Sequence, residues 1–306
     1  MILLLAAAAL LASPAAPGED HAAAIHRRIA DPNGGPIVVA HRGCHAAAPD
    51  HSLPSVPENS TAALDHCVAI GVDVMETDVR RAKDGTLVMI HDATLDRTTT
   101  GTGPVADRTI DELKMLRLRA DLGGPDAPAT DERIMTLDEM LTHADRRIVL
   151  NLDIKDAIYP EVIDAVLRAH ARDRVIVKTT ASIATVPLSA IPPYDRVPFM
   201  PVLRYPVAQD QLADVMRTQL RARKRPLGFE LPTLTSAILP TLASIAREAH
   251  VRLWINTLGN GYVTDLGGDA QATADPARVW GRLQQLGISM IQTDAPEALI
   301  RLQRGK

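Results

Sequence analysis

The stretch PIVVAHRGCHAAAPDHSLPSVPENSTAALDHCVAIGVDVMETDVRRAKDGTLVMIHD, residues 36–92, sets out a strand, a helix and a second strand in succession. PIVVAHRG (36–43) is apolar and β-branched up to a charged end. STAALDHCVAIG (60–71) has helical spacing, with Ser60 or Asn59 as its cap. VDVMETDV (72–79) reads as strand again, and TLVMIHD (86–92) folds back on it through an Asp-Gly pair. A two-residue turn at Asp84 and Gly85 pairs Lys83 with Thr86, and counting outward sets His91 opposite Asp78. Alternation along a strand points Glu76 and Asp78 the same way. Two carboxylates with an imidazole folded back beside them form a metal site with an acid/base group attached.

Working outward, the same alternation runs to the end of the chain. TLDEMLTHAD (136–145) is helical and RIVLNLDIK (147–155) a strand. PEVIDAVLRAHAR, RVIVKTT, a weak helix SIATVPLSAI and the strand PFMPVLR follow. Then come the long helix AQDQLADVMRTQLRARK, the strand PLGFEL, the helix AILPTLASIAREAH and the strand VRLWINT. PARVWGRLQQLG, SMIQTD and PEALIRLQR close the series. Eight principal strands, each followed by helical sequence, predict a single (β/α)₈ barrel of the α/β class. An open doubly wound sheet shares the alternation. The polar residues favour the barrel, because His41, Glu76, Lys155, Arg204, Glu230, Asn256 and Asp294 all fall near C-terminal strand ends. Only in a barrel do those ends converge. Residues 101–135, rich in Gly, Asp and Pro, hold one short helical piece, DELKML, and are too short for a further helical domain.

Composition narrows the partners. A chain of 306 residues with net charge −4 and dispersed basic residues carries no electrostatic footprint for nucleic acid. Aromatic residues make up 3%, so the core must be aliphatic. MILLLAAAALLASPAAPGED (1–20) resembles a secretory signal peptide with Ser13-Pro14-Ala15 as a cleavage site, although basic side chains are missing from its start. It is too short to span a bilayer, and nothing after it is apolar for long enough. The expectation is an exported protein, periplasmic or secreted, without stable membrane insertion, whose barrel domain runs from 31 to 306. Residues up to about 30 are set aside from the fold. Cys44 and Cys67 are read as two thiols, one of them on a helix, although an exported chain could pair them.

HRG (41–43), PEN (57–59), ETD (76–78), KDG (83–85), HD (91–92) and RTT (97–99) in this order resemble the signature of the glycerophosphodiester phosphodiesterase family. The resemblance continues through LDIK (152–155), LWINT (253–257) and QTD (292–294), and so covers roughly residues 36–300. It implies a PLC-like phosphodiesterase barrel acting on a small-molecule glycerophosphodiester, with Ca²⁺ or Mg²⁺ as cofactor.

Glu76, Asp78 and Asp153 are then the metal ligands, hard oxygen donors suited to either ion. Alone, an E-x-D on a strand is more often solvated or salt-bridged; the resemblance reverses that reading. Relatives usually carry glutamate where this chain has Asp153, and losing a methylene withdraws the carboxylate by roughly 1–1.5 Å. Ligation through water, or a deeper ion, would compensate, and a flexible Ca²⁺ shell tolerates the change better. His41 and His91 are the candidate acid/base pair, with the two roles unassigned. Arg42 and Lys155 would bind the phosphate, the one as a planar fork, the other as a point charge.

The remaining candidates are softer. In NLDIK, Asn151, Asp153 and Lys155 face one way and the leucines and isoleucine the other, so the polar face needs ligands or counter-charges. Glu58 would reach the metal or a substrate hydroxyl, and Asn59 would cap or anchor its loop. Trp254 is expected as a substrate wall at the mouth, with a core role the alternative. Glu230 would bind the alcohol group. The loop 44–56, with His45 and His51 in a solvated setting, would serve as a lid or specificity element. Attack by the neighbouring glycerol hydroxyl, giving a cyclic phosphate opened by water, is the expected route; direct attack by water is its rival. A lipid phosphodiesterase of the C or D type on the same barrel, or a non-catalytic periplasmic binding protein, is the alternative function.

Overall fold

The computed structural model describes residues 20–203 and 208–305. Arg204, and the expected leader and cleavage site as far as residue 19, lie outside the described residues. Nine strands form one sheet: β1 (Ile37–Ala40), β2 (Val74–Arg81), β3 (Leu87–Met89), β4 (Val149–Ile154), β5 (Val175–Ala181), β6 (Phe199–Leu203), β7 (Gly228–Glu230), β8 (Arg252–Asn256) and β9 (Met290–Thr293). Eight of them are parallel and close into a barrel, because β1 pairs with both β2 and β9. Only β3 stands outside, antiparallel to β2.

Alternation along each strand sorts the side chains. Val38, Ala40, Met75, Leu150, Leu152, Val177, Phe229 and Ile255 point outward into the shell of helices. Val39, Val74, Val149, Ile176, Met200, Trp254 and Met290 point inward and fill the lower barrel. One position further along the same inward rows come Glu76, Asn151, Lys178, Glu230, Asn256 and Gln292, all buried. The barrel is therefore an apolar layer with a polar layer above it, at the C-terminal strand ends.

The floor corrects the domain boundary. Residues set aside with the leader form a helix, His21–Ala30, whose Ala22, Ile25 and Ile29 are buried and belong to the interior cluster. Each isoleucine contributes about 1.5–3 kcal/mol by leaving water. Arg252, fully buried, fastens the end of this helix by donating to the carbonyls of Ile29 (3.2 Å), Gly35 (2.7 Å), Arg28 and Asp31. Arg28 and Ile29 lie in the last turn, where a helix leaves carbonyls without partners. Burial pushes the Arg252 guanidinium down to about 10.

Other expectations shift locally. The β2–β3 hairpin is one residue out of the expected register: Val79 pairs with Met89, and Ile90 donates to the Asp78 carbonyl. Ala82 and Thr86 close a three-residue loop whose last member, Gly85, has φ +88°. Asp-Gly serves this bulged loop as readily as the two-residue turn. His91 thus lies beyond the pairing with Asp78 and not opposite it. The weak helix expected over 182–191 is a pair of 3₁₀ turns, Leu188–Ala190 and Tyr194–Arg196, in a segment broken by Pro187, Pro192 and Pro193. The long helix at 208–224 shortens to Leu212–Gln219. Residues 82–135 cover the hairpin and hold a small second core of Val88, Ile90, Leu95, Val105, Leu113, Leu118 and Ile134. Among the described residues no helix is long and apolar enough to cross a membrane.

Candidate active site

The HRG motif turns sharply at the end of β1. Arg42 has φ +54° and Gly43 φ +86°, and a Cβ on Gly43 would come within 2.8 Å of Ala63 and of Met75. Only glycine fits that approach. The turn brings the Arg42 N–H to Glu76 Oε2 (2.8 Å). Ser60, not Asn59, caps the following helix, its Oγ accepting from Ala63 N. Asn59 instead clamps β2: its Nδ2 donates to Asp78 Oδ2 (2.9 Å), and its Oδ1 accepts from Thr77 Oγ1 and Asp78 N.

Register gathers the acids. β2 and β4 run parallel with Asp78 beside Asp153 and Glu76 beside Asn151. Oxygens of Glu76, Asp78 and Asp153 come within 4.8 Å of one another. The shorter Asp153 side chain therefore reaches the cluster. Lys155 Nζ lies 2.7 Å from Asp153 Oδ2 and 3.0 Å from Asp78 Oδ1. Burial opposes the charge on Lys155, but Asp78 and Asp153 outweigh it and keep the ammonium protonated. Burial raises the Glu76 carboxyl well above its ordinary range, and the charges on Asp78 and Asp153 push the same way. Asp78 Oδ1 is buried beside the Lys155 ammonium with no well-directed hydrogen bond. Three crowded carboxylates, one oxygen among them lacking a well-directed hydrogen bond, fit a hard divalent cation.

His41, Arg42, Glu76, His91, Asp153, Lys155, Lys178, Glu230, Asn256 and Gln292 line one cavity of about 500 Å³. His41 Nδ1 meets Asp294 Oδ1 at 2.8 Å, and His91 Nδ1 meets Asp92 Oδ1 at 2.7 Å. Neither ring has a recorded partner for Nε2 among the described residues. Hydrogen bonds from Arg97, and then from His91, hold the Asp92 carboxyl well below its usual range. Burial lowers the pKa of His91 and favours its neutral form.

Three expectations need correction. Glu58 is buried between two arginines, with Arg42 at 3.1 Å and Arg97 at 2.8 Å and 3.0 Å, so it braces Arg42 and does not line the cavity. Trp254 is no substrate wall: it lies in the apolar layer below the site, its Nε1 donating to Asn256 Oδ1 (2.7 Å). The loop 44–56 is no free lid. Cys44 is disulfide-bonded to Cys67, His45 is buried, and His51 meets Glu297 at 2.6 Å. The reading of the cysteines as two thiols falls with it.

One charged cavity residue escaped the sequence reading. Lys178 is buried on β5, 2.5 Å from Glu230 Oε2 and 4.0 Å above the Trp254 ring. Glu230 also accepts from Asn256 Nδ2 (3.0 Å). The signal was a lone lysine on the inward row of an otherwise apolar strand, RVIVKTT.

Comparison with known proteins agrees with this fold. The model of the glycerophosphoryl diester phosphodiesterase family matches residues 41–190, and that of a domain of unknown function matches residues 199–302. A glycerophosphodiester phosphodiesterase of Caldanaerobacter subterraneus subsp. tengcongensis is 29% identical over 275 residues, covering 88% of this chain and 98% of that one. The crystal structure of a glycerophosphodiester phosphodiesterase from Agrobacterium tumefaciens is similar with TM-score 0.61 at 24% identity, over 86% of this chain and 98% of that chain. A phosphodiesterase of Oleispira antarctica, solved in complex with its product sn-glycerol-3-phosphate, has TM-score 0.60 at 20% identity, over 89% of this chain and 98% of that chain.

Proposed function

This chain belongs to the glycerophosphoryl diester phosphodiesterase family, and from that premise we propose that it cleaves glycerophosphodiesters to glycerol 3-phosphate and an alcohol, using a divalent cation and two histidines. The observation that carries the reading is one cavity wall holding Glu76, Asp153, Arg42, Lys155, His41 and His91 together, with Asp78 completing the acidic cluster.

Arg42 and Lys155 hold the phosphate oxygens and balance the charge that grows on them in the pentavalent transition state. Glu76, Asp78 and Asp153 would hold the cation, Ca²⁺ or Mg²⁺, which when bound supplies Lewis-acid stabilisation of that same charge. His91, neutral by burial, takes the proton of the attacking hydroxyl at Nε2. His41, backed by the Asp294 carboxylate, gives a proton to the departing alcohol oxygen. Attack by the glycerol hydroxyl beside the ester forms a cyclic phosphate and releases the alcohol. His41, now neutral, then takes a proton from the attacking water, while His91 returns its proton to the departing glycerol oxygen, and the ring opens to glycerol 3-phosphate. Attack by water without the cyclic stage is the rival route. The apolar leader supports export, and a Cys44–Cys67 disulfide suits an oxidising compartment.

The test is turnover of glycerophosphocholine, glycerophosphoethanolamine and glycerophosphoinositol, read as glycerol 3-phosphate, with Mg²⁺, with Ca²⁺ and with chelator. Activity should vanish in chelator, and His41→Ala and His91→Ala should each lose at least ~10²-fold. Turnover indifferent to chelator rejects the cation, and near-normal rates in both variants reject the acid/base pair. No turnover of any substrate with either cation rejects the substrate class.

A further inference from the structure

Behind His41 the hydrogen bonding continues through groups that the proposed reaction leaves unused. Asp294 Oδ1 meets two imidazoles at once, His41 Nδ1 at 2.8 Å and His45 Nε2 at 3.2 Å. His45 is 2% exposed, and its other nitrogen, Nδ1, lies 2.6 Å from Asp121 Oδ1. Both ring nitrogens of His45 thus face carboxylate oxygens. An ionised carboxylate only accepts, so both nitrogens must donate, and only the imidazolium carries two N–H groups.

The clamp is anchored on every side. Cys44, next to His45, is bonded to Cys67 on the helix Thr61–Ile70. Asp121 is fixed by its own backbone, its N–H donating to Val56 and its carbonyl accepting from Glu58 N, both at 3.0 Å. Asp269 Oδ2 accepts from the Asp294 N–H at 2.8 Å. The charged groups facing His45 are Asp121 and Asp294, with His41 and Asp269 beyond them.

We propose that His45 is a positioning residue for His41: a buried imidazolium, gripped by Asp121 and Asp294, that fixes the Asp294 carboxylate and draws part of its charge away from His41. The proposal rests on the reading of His41 as the proton donor. An Asp294 carboxylate oxygen shared between two imidazoles is held in one orientation and presents only part of its charge to His41. Burial disfavours the charge on His45, but the hydrogen bonds to Asp121 and Asp294 outweigh it and raise its pKa to about 9.

The test is a histidine NMR titration of the full chain, free of metal and substrate, for the wild type, His45→Gln and Asp121→Asn, with kcat and KM measured alongside. In the wild type one imidazole should stay protonated to about pH 9, and its signal should be absent from His45→Gln. The His41 signal should move to higher pH in His45→Gln than in the wild type, because a neighbouring positive charge has gone. Asp121→Asn should move His45 downward without touching the cavity, and it carries the test if His45→Gln does not fold. Turnover in His45→Gln should fall about tenfold in kcat with KM within about twofold. His45 titrating near 6.5, or a His41 titration unmoved by the substitution, overturns the proposal. A wild type that cleaves no glycerophosphodiester overturns the reaction instead, and the NMR arms still decide the coupling.

Discussion

The disulfide offers the most direct test of how the cavity wall is held. It joins Cys44, on the loop after β1, to Cys67 on the helix Thr61–Ile70, 23 residues apart, with a Cα–Cα distance of 5.1 Å. Cross-linking the unfolded chain over that separation removes loop-closure entropy equivalent to about 3.4 kcal/mol at 25 °C. An unfolding entropy of about 2.1 cal/mol/K per residue over nearly three hundred residues converts this into a melting shift of about 6 °C. The perturbation is reduction of the wild type, which keeps every heavy atom and adds two electrons and two protons, compared with the double variant Cys44→Ala/Cys67→Ala. Thermal unfolding followed by circular dichroism, with and without reductant, should show the wild type dropping by about 6 °C and the double variant indifferent to reductant. Thiol titration of the unreduced, denatured protein should find none. Two titratable thiols there, or coincident melting curves with and without reductant, refute the reasoning.

Replacing Lys178 by Met leaves Glu230 buried without its ammonium and should cost about 3–5 kcal/mol in urea unfolding. Adding Glu230→Gln should recover most of the loss, and a Lys178→Met chain as stable as the wild type would show the pair to be idle. Because the folded pKa of His45 stands above its unfolded value, its contribution is complete below pH 6.5 and lost as pH rises through about 9. The rise amounts to about 3 kcal/mol, so wild type and His45→Gln should differ in stability at pH 6 and converge by pH 10; a constant gap contradicts this. Ca²⁺ or Mg²⁺ at a hundred times its dissociation constant should add about 2.7 kcal/mol to stability. That is a rise of some 4–5 °C in melting temperature, expected to disappear in Glu76→Gln; an equal rise in that variant would place the cation elsewhere.

The barrel was readable because its strands carry apolar side chains on the outward row and change to polar ones on the inward row near their C-terminal ends. LDIK shows both rows in four residues. The acidic cluster was readable for the same reason, once parallel neighbours brought Asp78 beside Asp153. Depth was not readable. Trp254 and Asn256 share an inward row, and nothing local says that the tryptophan lies a layer below the mouth. Lys178 was missed by the converse error, a charged residue passed over because its neighbours are apolar. The hairpin slipped by one residue because Asp-Gly fits two loop lengths. His45 looked like a loop residue because its partners, Asp121 and Asp294, lie far away in the chain. The helix at 21–30 was hidden by its own composition, alanine-rich and directly behind an apolar leader.

That helix works as a cork. Its first turn is capped by Asp20, whose Oδ1 accepts from Ala23 N, and its isoleucines belong to the buried cluster that holds Met200, Trp254 and Met290. A peptidase or a cloning boundary that trims the front of the chain must therefore stop short of Asp20. Cutting past Ile29 would uncork the cylinder, admit water under the tryptophan on which Lys178 rests, and unsettle the catalytic end from the opposite side of the molecule.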